Sequence, residues 1–441
     1  MRHITRNQVL LRLAGLAVLG VFAVLYFAGA FHGRLEAQTE AAPKYKVDAS
    51  WPKPLPNKWK MGGVTGLAVD KDDNVWVYDR PNDLTSIEIE AELNPPIADC
   101  CTHPPAMIHI AGHDGPGYKD GDVIGYIEAQ QGHGMAVDKK GFLYLGQNTV
   151  RKFDPKSGQM LMAVPHVQET ANGKPFENDN YKPTWVKGEG SAGPVAGFIT
   201  LPGVPRGGRG GRGGGVGEEA ATQAALQNKA FIEKYPPTTP MIIGNIEEVR
   251  TDDDANEIYV TDSAFGGRVM VFSLDKFEFK RGWGAYGHKL SEISTDPAAH
   301  AYHPGGPMAK EFVGHLTLNF SHDGLVYAAD RGGNRIDVTD KQGNFKQEIK
   351  LAEYTGVGGS TGGVMFSADK DQKYLYISDL TNNHVWFLDR KTGKVLGTIG
   401  SMGQQAGEFF GVHMEAVDSK NNIYTGEVFY GERVQRFVPA K

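Results

Sequence analysis

The chain has 441 residues, 40% of them hydrophobic, with 57 glycines, two cysteines and a formal net charge of −6. The mildly acidic balance gives no reason to expect a nucleic-acid partner. The length would ordinarily divide into two or three domains, unless a repeat architecture absorbs it.

The N-terminus reads as an export signal. Arg2, Arg6 and Arg12 precede the apolar run from Leu13 to Phe31, and Arg34 and a polar stretch follow. The run is long for a cleaved signal and nearly long enough to span a bilayer. Residues 1–40 are therefore expected to be a signal peptide or membrane anchor with its linker. Ala30 and Ala37 end candidate cleavage sites. The protein is expected outside the cytoplasm, periplasmic or extracellular, with possible membrane attachment through residues 13–31.

From residue 41 onward one pattern recurs six times. Val64–Pro81, His133–Gln147, Ile246–Ser263, His315–Asp330, Gly362–Asp379 and His413–Glu427 each pair two short β-type runs. The turn between the runs is rich in Asp, Asn, Lys or Gly, which is a hairpin signal. A third run usually follows, as in Arg268–Ser273, Arg335–Asp340, His384–Asp389 and Arg433–Val438. Units of roughly 40 to 50 residues with four strands each are propeller blades. The expectation is an all-β, six-bladed propeller over residues 41–441, interrupted by insertions at about 164–240 and 283–312.

The first insertion contains the Gly-Arg run Arg206–Glu219, read as a solvated linker, and the helical stretch Glu218–Tyr235. The second leads directly into His315 and should lie over the face that carries it. It holds Tyr286, His288, His300, Tyr302 and His303. Cys100 and Cys101 are adjacent, and sequence neighbours rarely satisfy disulfide geometry. They are read as unpaired thiols in a blade-one loop, with a vicinal disulfide, a dimer link or a soft-metal contact as alternatives.

Three histidines carry the chemistry. His133, His315 and His413 open the first strand of blades two, four and six. That strand lines the central channel, and alternate blades of six are about 120° apart, so the imidazoles should converge on the axis. Three neutral imidazoles and one open position make a catalytic zinc site. The alternative is hydrogen bonding across the channel. His315 lies one residue farther from the end of its unit than the other two, attributed to an extra turn residue around Ser321–Gly324. The remaining histidines are read as surface groups. At the same depth, blade one offers Thr65, blade three Glu247 or Glu248, and blade five a residue near Thr361 or Gly362. Glu247 could be a fourth ligand, a general base or a partner of a ligand, or else a solvated strand residue. Arg80, on the rim of blade one, suits a substrate carboxylate, with a loop salt bridge to Asp79 or Asp83 as the alternative. Arg331, at the matching place in blade four, is a further candidate substrate contact or a turn-fixing residue.

These residues resemble the NHL six-bladed propellers, and within them peptidyl-α-hydroxyglycine α-amidating lyase. The segments HGMAVD (His133), HLTLNF (His315) and HMEAVD (His413) match the family's zinc-binding blade starts, and DNVWVYDR matches the run before its catalytic Arg at Arg80. The resemblance implies a zinc-dependent lyase that cleaves a C–N bond of a small-molecule or peptide hydroxyglycine and releases glyoxylate. Two positions depart from it. Ala264 stands where the family's catalytic Tyr is expected, which leaves Tyr286, Tyr302 or Glu247 to replace it. Met414 stands where the calcium-binding Asp is expected, so calcium is not carried over. Other readings are a metal-dependent, lactonase-like hydrolase and a non-catalytic scaffold that binds protein or peptide.

Overall fold

The computed structural model describes residues 41–169, 229–244, 246–356 and 358–440. The apolar run 13–31, the Gly-Arg run and most of the predicted helix lie outside these residues. Of that helix, residues 229–234 are described and are helical. Among the described residues no helix is long and apolar enough to cross a membrane.

A short strand, β1 (Tyr45–Asp48), precedes the first complete blade of β2 (Gly63–Val69), β3 (Val75–Arg80), β4 (Met107–Ile110) and β5 (Val123–Ile127). Blade two is β6 (Met135–Val137), β7 (Leu143–Gly146), β8 (Val150–Phe153) and β9 (Met160–Ala163). Blade three is β10 (Ile246–Asp252), β11 (Glu257–Asp262), β12 (Arg268–Ser273) and β13 (Phe279–Trp283). Blade four is β14 (Leu316–Phe320), β15 (Leu325–Asp330), β16 (Arg335–Asp340) and β17 (Phe345–Lys350). Blade five is β18 (Val364–Phe366), β19 (Tyr374–Asp379), β20 (His384–Asp389) and β21 (Val395–Ile399). The last blade has β22 (Val412–Val417), β23 (Ile423–Glu427) and β24 (Val434–Pro439), and β1 supplies its fourth strand.

The six four-stranded antiparallel sheets are the six-bladed propeller expected from the repeats. What the repeats did not announce is the closure: β1 pairs with β24, so the start of the propeller is stitched to its end. Arg436 of β24 reinforces the seam, bonding Asp48 of β1 and Asp120 beside blade one.

The strands are apolar on both faces because each blade is sandwiched between neighbours. Tyr144 and Ala136 of blade two share a core with Val249, Ile258 and Phe272 of blade three. Val64 and Leu67 of blade one pack with Met414 and Tyr424 of blade six. Fully burying one such side chain is worth about 1.5–3 kcal/mol, so packing between blades supplies the stability that no long-range disulfide provides. The first hairpin turns of blades one, two and six share one device. Asp70 accepts from the backbone N–H of Asp72 and Asn74, Asp138 from Lys140 and Phe142, and Asp418 from Lys420 and Asn422. An Asp side chain thus replaces the backbone bonds that the chain gives up on reversing direction.

Several expectations are corrected. Cys100 and Cys101 are joined as a vicinal disulfide rather than left as thiols. His103 is buried against Glu92, and His109 stacks on Trp76 while pairing with Asp70, so neither is a surface group. The odd spacing of His315 does not arise in the turn. Blades two, four and six leave the same interval between their last paired residues, 138–142, 321–325 and 418–422. The additional residue is at the strand entrance, where His315 itself takes a left-handed φ of 56°.

Candidate metal centre

The three histidines do converge. Their ring centroids form a triangle with every side 4.9 Å, and the rings stand at 76–79° to one another. His133 Nε2 lies 2.7 Å from His413 Nε2. One ligand atom from each residue lies within 4.8 Å of the others, a group that could hold a metal ion. Tetrahedral zinc with Zn–N of about 2.0–2.1 Å sets its nitrogens roughly 3.3 Å apart, inside the 4.8 Å span of the group but wider than the 2.7 Å between His133 and His413, which is a hydrogen-bond distance. The donor chemistry fits as well. His133 Nδ1 bonds the Glu247 carbonyl at 2.6 Å, so that nitrogen carries the proton and Nε2 presents its lone pair to the centre.

Each blade reaches this point by a different local device. His133 precedes Gly134, whose φ is +75° and whose added Cβ would lie 2.6 Å from Glu248 Cα. No side chain fits there. His315 turns the chain itself, a conformation uncommon outside Gly and Asn and one that folds retain at functional positions. His413 sits in a β-bulge between Val412 and Met414, and Thr65 and Glu247 occupy the equivalent bulges of blades one and three. A bulge re-aims the side chain it contains.

Of the two candidates in blade three, Glu247 faces the histidines. Its Oε2 lies 3.3 Å from His315 Nε2 and 3.8 Å from His133 Nε2, and the residue is 1% exposed. Glu248 is aimed away and pairs with Arg250 at 3.1 Å. Burial pushes its carboxyl up to about 7, against the pull of the Arg250 guanidinium. Glu415, also fully buried, is held well above the usual carboxylate range by burial. Repeat spacing singled out neither Glu248 alone nor Glu415, because both lie inside the channel beyond the position that the histidines mark. At the far end of the channel a cavity of about 200 Å³ is lined by all six inner strands, with Arg250 in its wall.

Arg80 ends β3 beside the start of β2, and its guanidinium pairs with Asp83 at 2.6 Å. The loop salt bridge weighed for it is therefore present. Neighbouring Asn82 donates its N–H to Gln131, two residues before His133, so this rim adjoins the cluster. Arg331 donates its backbone N–H to the His315 carbonyl at 3.4 Å. The second insertion packs on blade four through Tyr286, which bonds Arg335 and Glu348. The Tyr302 hydroxyl bonds the Glu353 carbonyl. Both hydroxyls are thus engaged in other bonds. Ala264 has no group to transfer a proton, and among the candidates for that role only Glu247 is described with a side-chain contact to the histidines.

No protein-family model and no curated protein matches the chain. Among solved structures it is similar to a structural-genomics protein of unknown function from Bacteroides thetaiotaomicron. The identity is 12% and the TM-score 0.46, over 91% of this chain and 73% of that one.

Proposed function

We propose that this chain is an exported, zinc-dependent lyase that cleaves a small carboxylate-bearing substrate of the peptidyl α-hydroxyglycine type. One observation carries the reading: three imidazoles meet on the channel axis with a buried carboxylate 3.3 Å from one of their nitrogens. His133, His315 and His413 would hold the metal. Zinc in such a site acts as a Lewis acid that lowers the pKa of an oxygen bound to it.

The residues supply the rest. Glu247 takes the proton of the substrate hydroxyl as its C–O bond becomes C=O. The C–N bond breaks, and the same proton is returned to the departing amide nitrogen, so the products are the amide and glyoxylate with no other reactant. Arg80 holds the substrate carboxylate and exchanges part of its pairing with Asp83 for it; Arg331 lines the opposite rim. Export rests on the basic and apolar N-terminal residues.

The test is metal content and product release on purified protein. One zinc per chain, lost on replacing any of the three histidines by Ala, together with zinc-dependent release of glyoxylate from an N-acyl α-hydroxyglycine, is the expected result. Zinc without glyoxylate would move the site to another reaction, such as hydrolysis. Absence of any bound metal would leave the scaffold reading.

A further inference from the structure

The polar residue that closes the second strand of each histidine-bearing blade has a task that the repeat alone does not reveal. In blade four, Asp330 accepts from the backbone N–H of Val313 and Gly314, the two residues before His315. In blade six, Glu427 accepts from the N–H of Phe410, three residues before His413, at 2.7 Å. In blade two, the Gln147 amide donates to the carbonyl of Gln130, three residues before His133, also at 2.7 Å. Each closing residue is itself gripped by an arginine of the next strand or its entrance: Arg335 for Asp330, Arg433 for Glu427 and Arg151 for Gln147. Two of these arginines also bind carbonyls of the incoming segment, Arg335 at Ala309 and Glu311 and Arg433 at Glu408.

Blade three repeats the arrangement. Asp262 accepts from Ile243 and Gly244, just ahead of Glu247, and is held by Arg268. Blade five does not. Asp379 occupies the same place but turns to its own hairpin end, accepting from Thr381, Asn382 and Trp386, and that blade brings neither a histidine nor a carboxylate to the centre. Blade one is intermediate: Asp79 accepts from Gly62, and no arginine bond to it is described.

We infer that Gln147, Asp330 and Glu427 are positioning residues for the metal ligands of their own blades, a conclusion that rests on the metal reading above. The physical reason is reach. A histidine at a strand entrance has its backbone fixed by ladder bonds on one side only. The latch fixes the other side, so the Nε2 positions do not wander as the entrance frays. Groups of this kind, one step behind the ligands, typically change metal affinity about 10- to 100-fold when removed.

The test uses the full chain, stripped of metal and titrated with zinc in competition with a chelator and with cobalt(II) for its visible absorption bands. Asp330 is a poor target, because removing its charge strands Arg335 in the core. Gln147→Glu is better: it keeps a partner for Arg151 and sets an acceptor against the Gln130 carbonyl. Glu427→Gln leaves one oxygen where two now accept, from Phe410 on one side and from Arg433 and Gln435 on the other, so the latch cannot keep both holds. Both should raise the zinc Kd about 10- to 100-fold and shift the cobalt bands, with little change in Tm of the metal-free protein for Gln147→Glu. Asp379→Asn should lower Tm and leave the zinc Kd and the cobalt bands as in the parent. Wild-type affinity and bands in both latch variants would overturn the inference, and so would equal weakening by Asp379→Asn, which would make the effect one of general stability. A parent chain that binds neither metal would refute the metal reading itself, and the latch with it.

Discussion

Replacing Glu247 by Gln tests the chemistry most directly. Gln matches the volume of a side chain that is 1% exposed and keeps the backbone carbonyl that fixes His133 at 2.6 Å, so the fold and the imidazole orientation should survive. What is lost is basicity and one negative charge, 3.3 and 3.8 Å from the Nε2 atoms of His315 and His133. A positioned general base contributes about 10²- to 10⁴-fold, or roughly 3–5 kcal/mol. A charge at about 4 Å in a partly screened site contributes up to roughly 4 kcal/mol to holding a cation. The two effects are of similar size, so turnover has to be measured with zinc saturating, where only the first remains. Glyoxylate release under those conditions should fall at least about 100-fold. Glu248 cannot stand in, because its carboxylate is occupied by Arg250 and by the N–H of Val249. Turnover within about threefold of the parent at full zinc occupancy would refute Glu247 as the base and the proton route with it.

Arg80→Ala should raise KM for the carboxylate substrate about 10-fold or more, since hydrogen bonds to charged groups contribute about 1.5–3 kcal/mol, and leave zinc content unchanged; an unchanged KM would confine Arg80 to its pair with Asp83. Glu257 is a stability probe away from the site. Burial would raise its carboxyl, but bonds from Arg281, Lys280 and Tyr259 outweigh that and hold it at about 2, below its ordinary 4.5. A depressed folded pKa contributes stability that is complete above the unfolded value and is lost as pH falls from about 4.5 towards 2. Glu257→Gln should therefore cost about 2 kcal/mol at pH 7, allowing for screening around partly exposed Lys280. In urea unfolding the difference should shrink as pH approaches 2, and a pH-independent cost would show that packing, not charge, is responsible.

The fold was legible because a propeller repeats its grammar. Strand, polar turn and strand recur at every blade, and the three histidines could be aligned from that register alone. The seam was not legible, since Tyr45–Asp48 looks like any short strand and its partner lies at the other end of the chain. Choosing between Glu247 and Glu248 was also out of reach of periodicity. A bulge breaks the two-residue alternation at that point, so both residues are buried and only the folded structure decides which faces the histidines. The vicinal disulfide and buried His103 belong to a long blade-one loop with no repeat to read them against.

The same limit explains why the centre depends on more than its ligands. The repeat places three histidines at one depth, but the backbone reaches that depth by a glycine in blade two, a left-handed residue in blade four and a bulge in blade six. Three unrelated local conformations would not be expected to end within 4.8 Å of one another unless something common fixed them. The common element is the polar residue at the end of the second strand, which holds the entering chain ahead of each histidine and of Glu247, does so more weakly ahead of Thr65 in blade one, and turns away in blade five. On the proposed reading, the identity of the candidate ligands is written in the first strand of blades two, four and six, while their position is set by a residue about fifteen places later, across the hairpin.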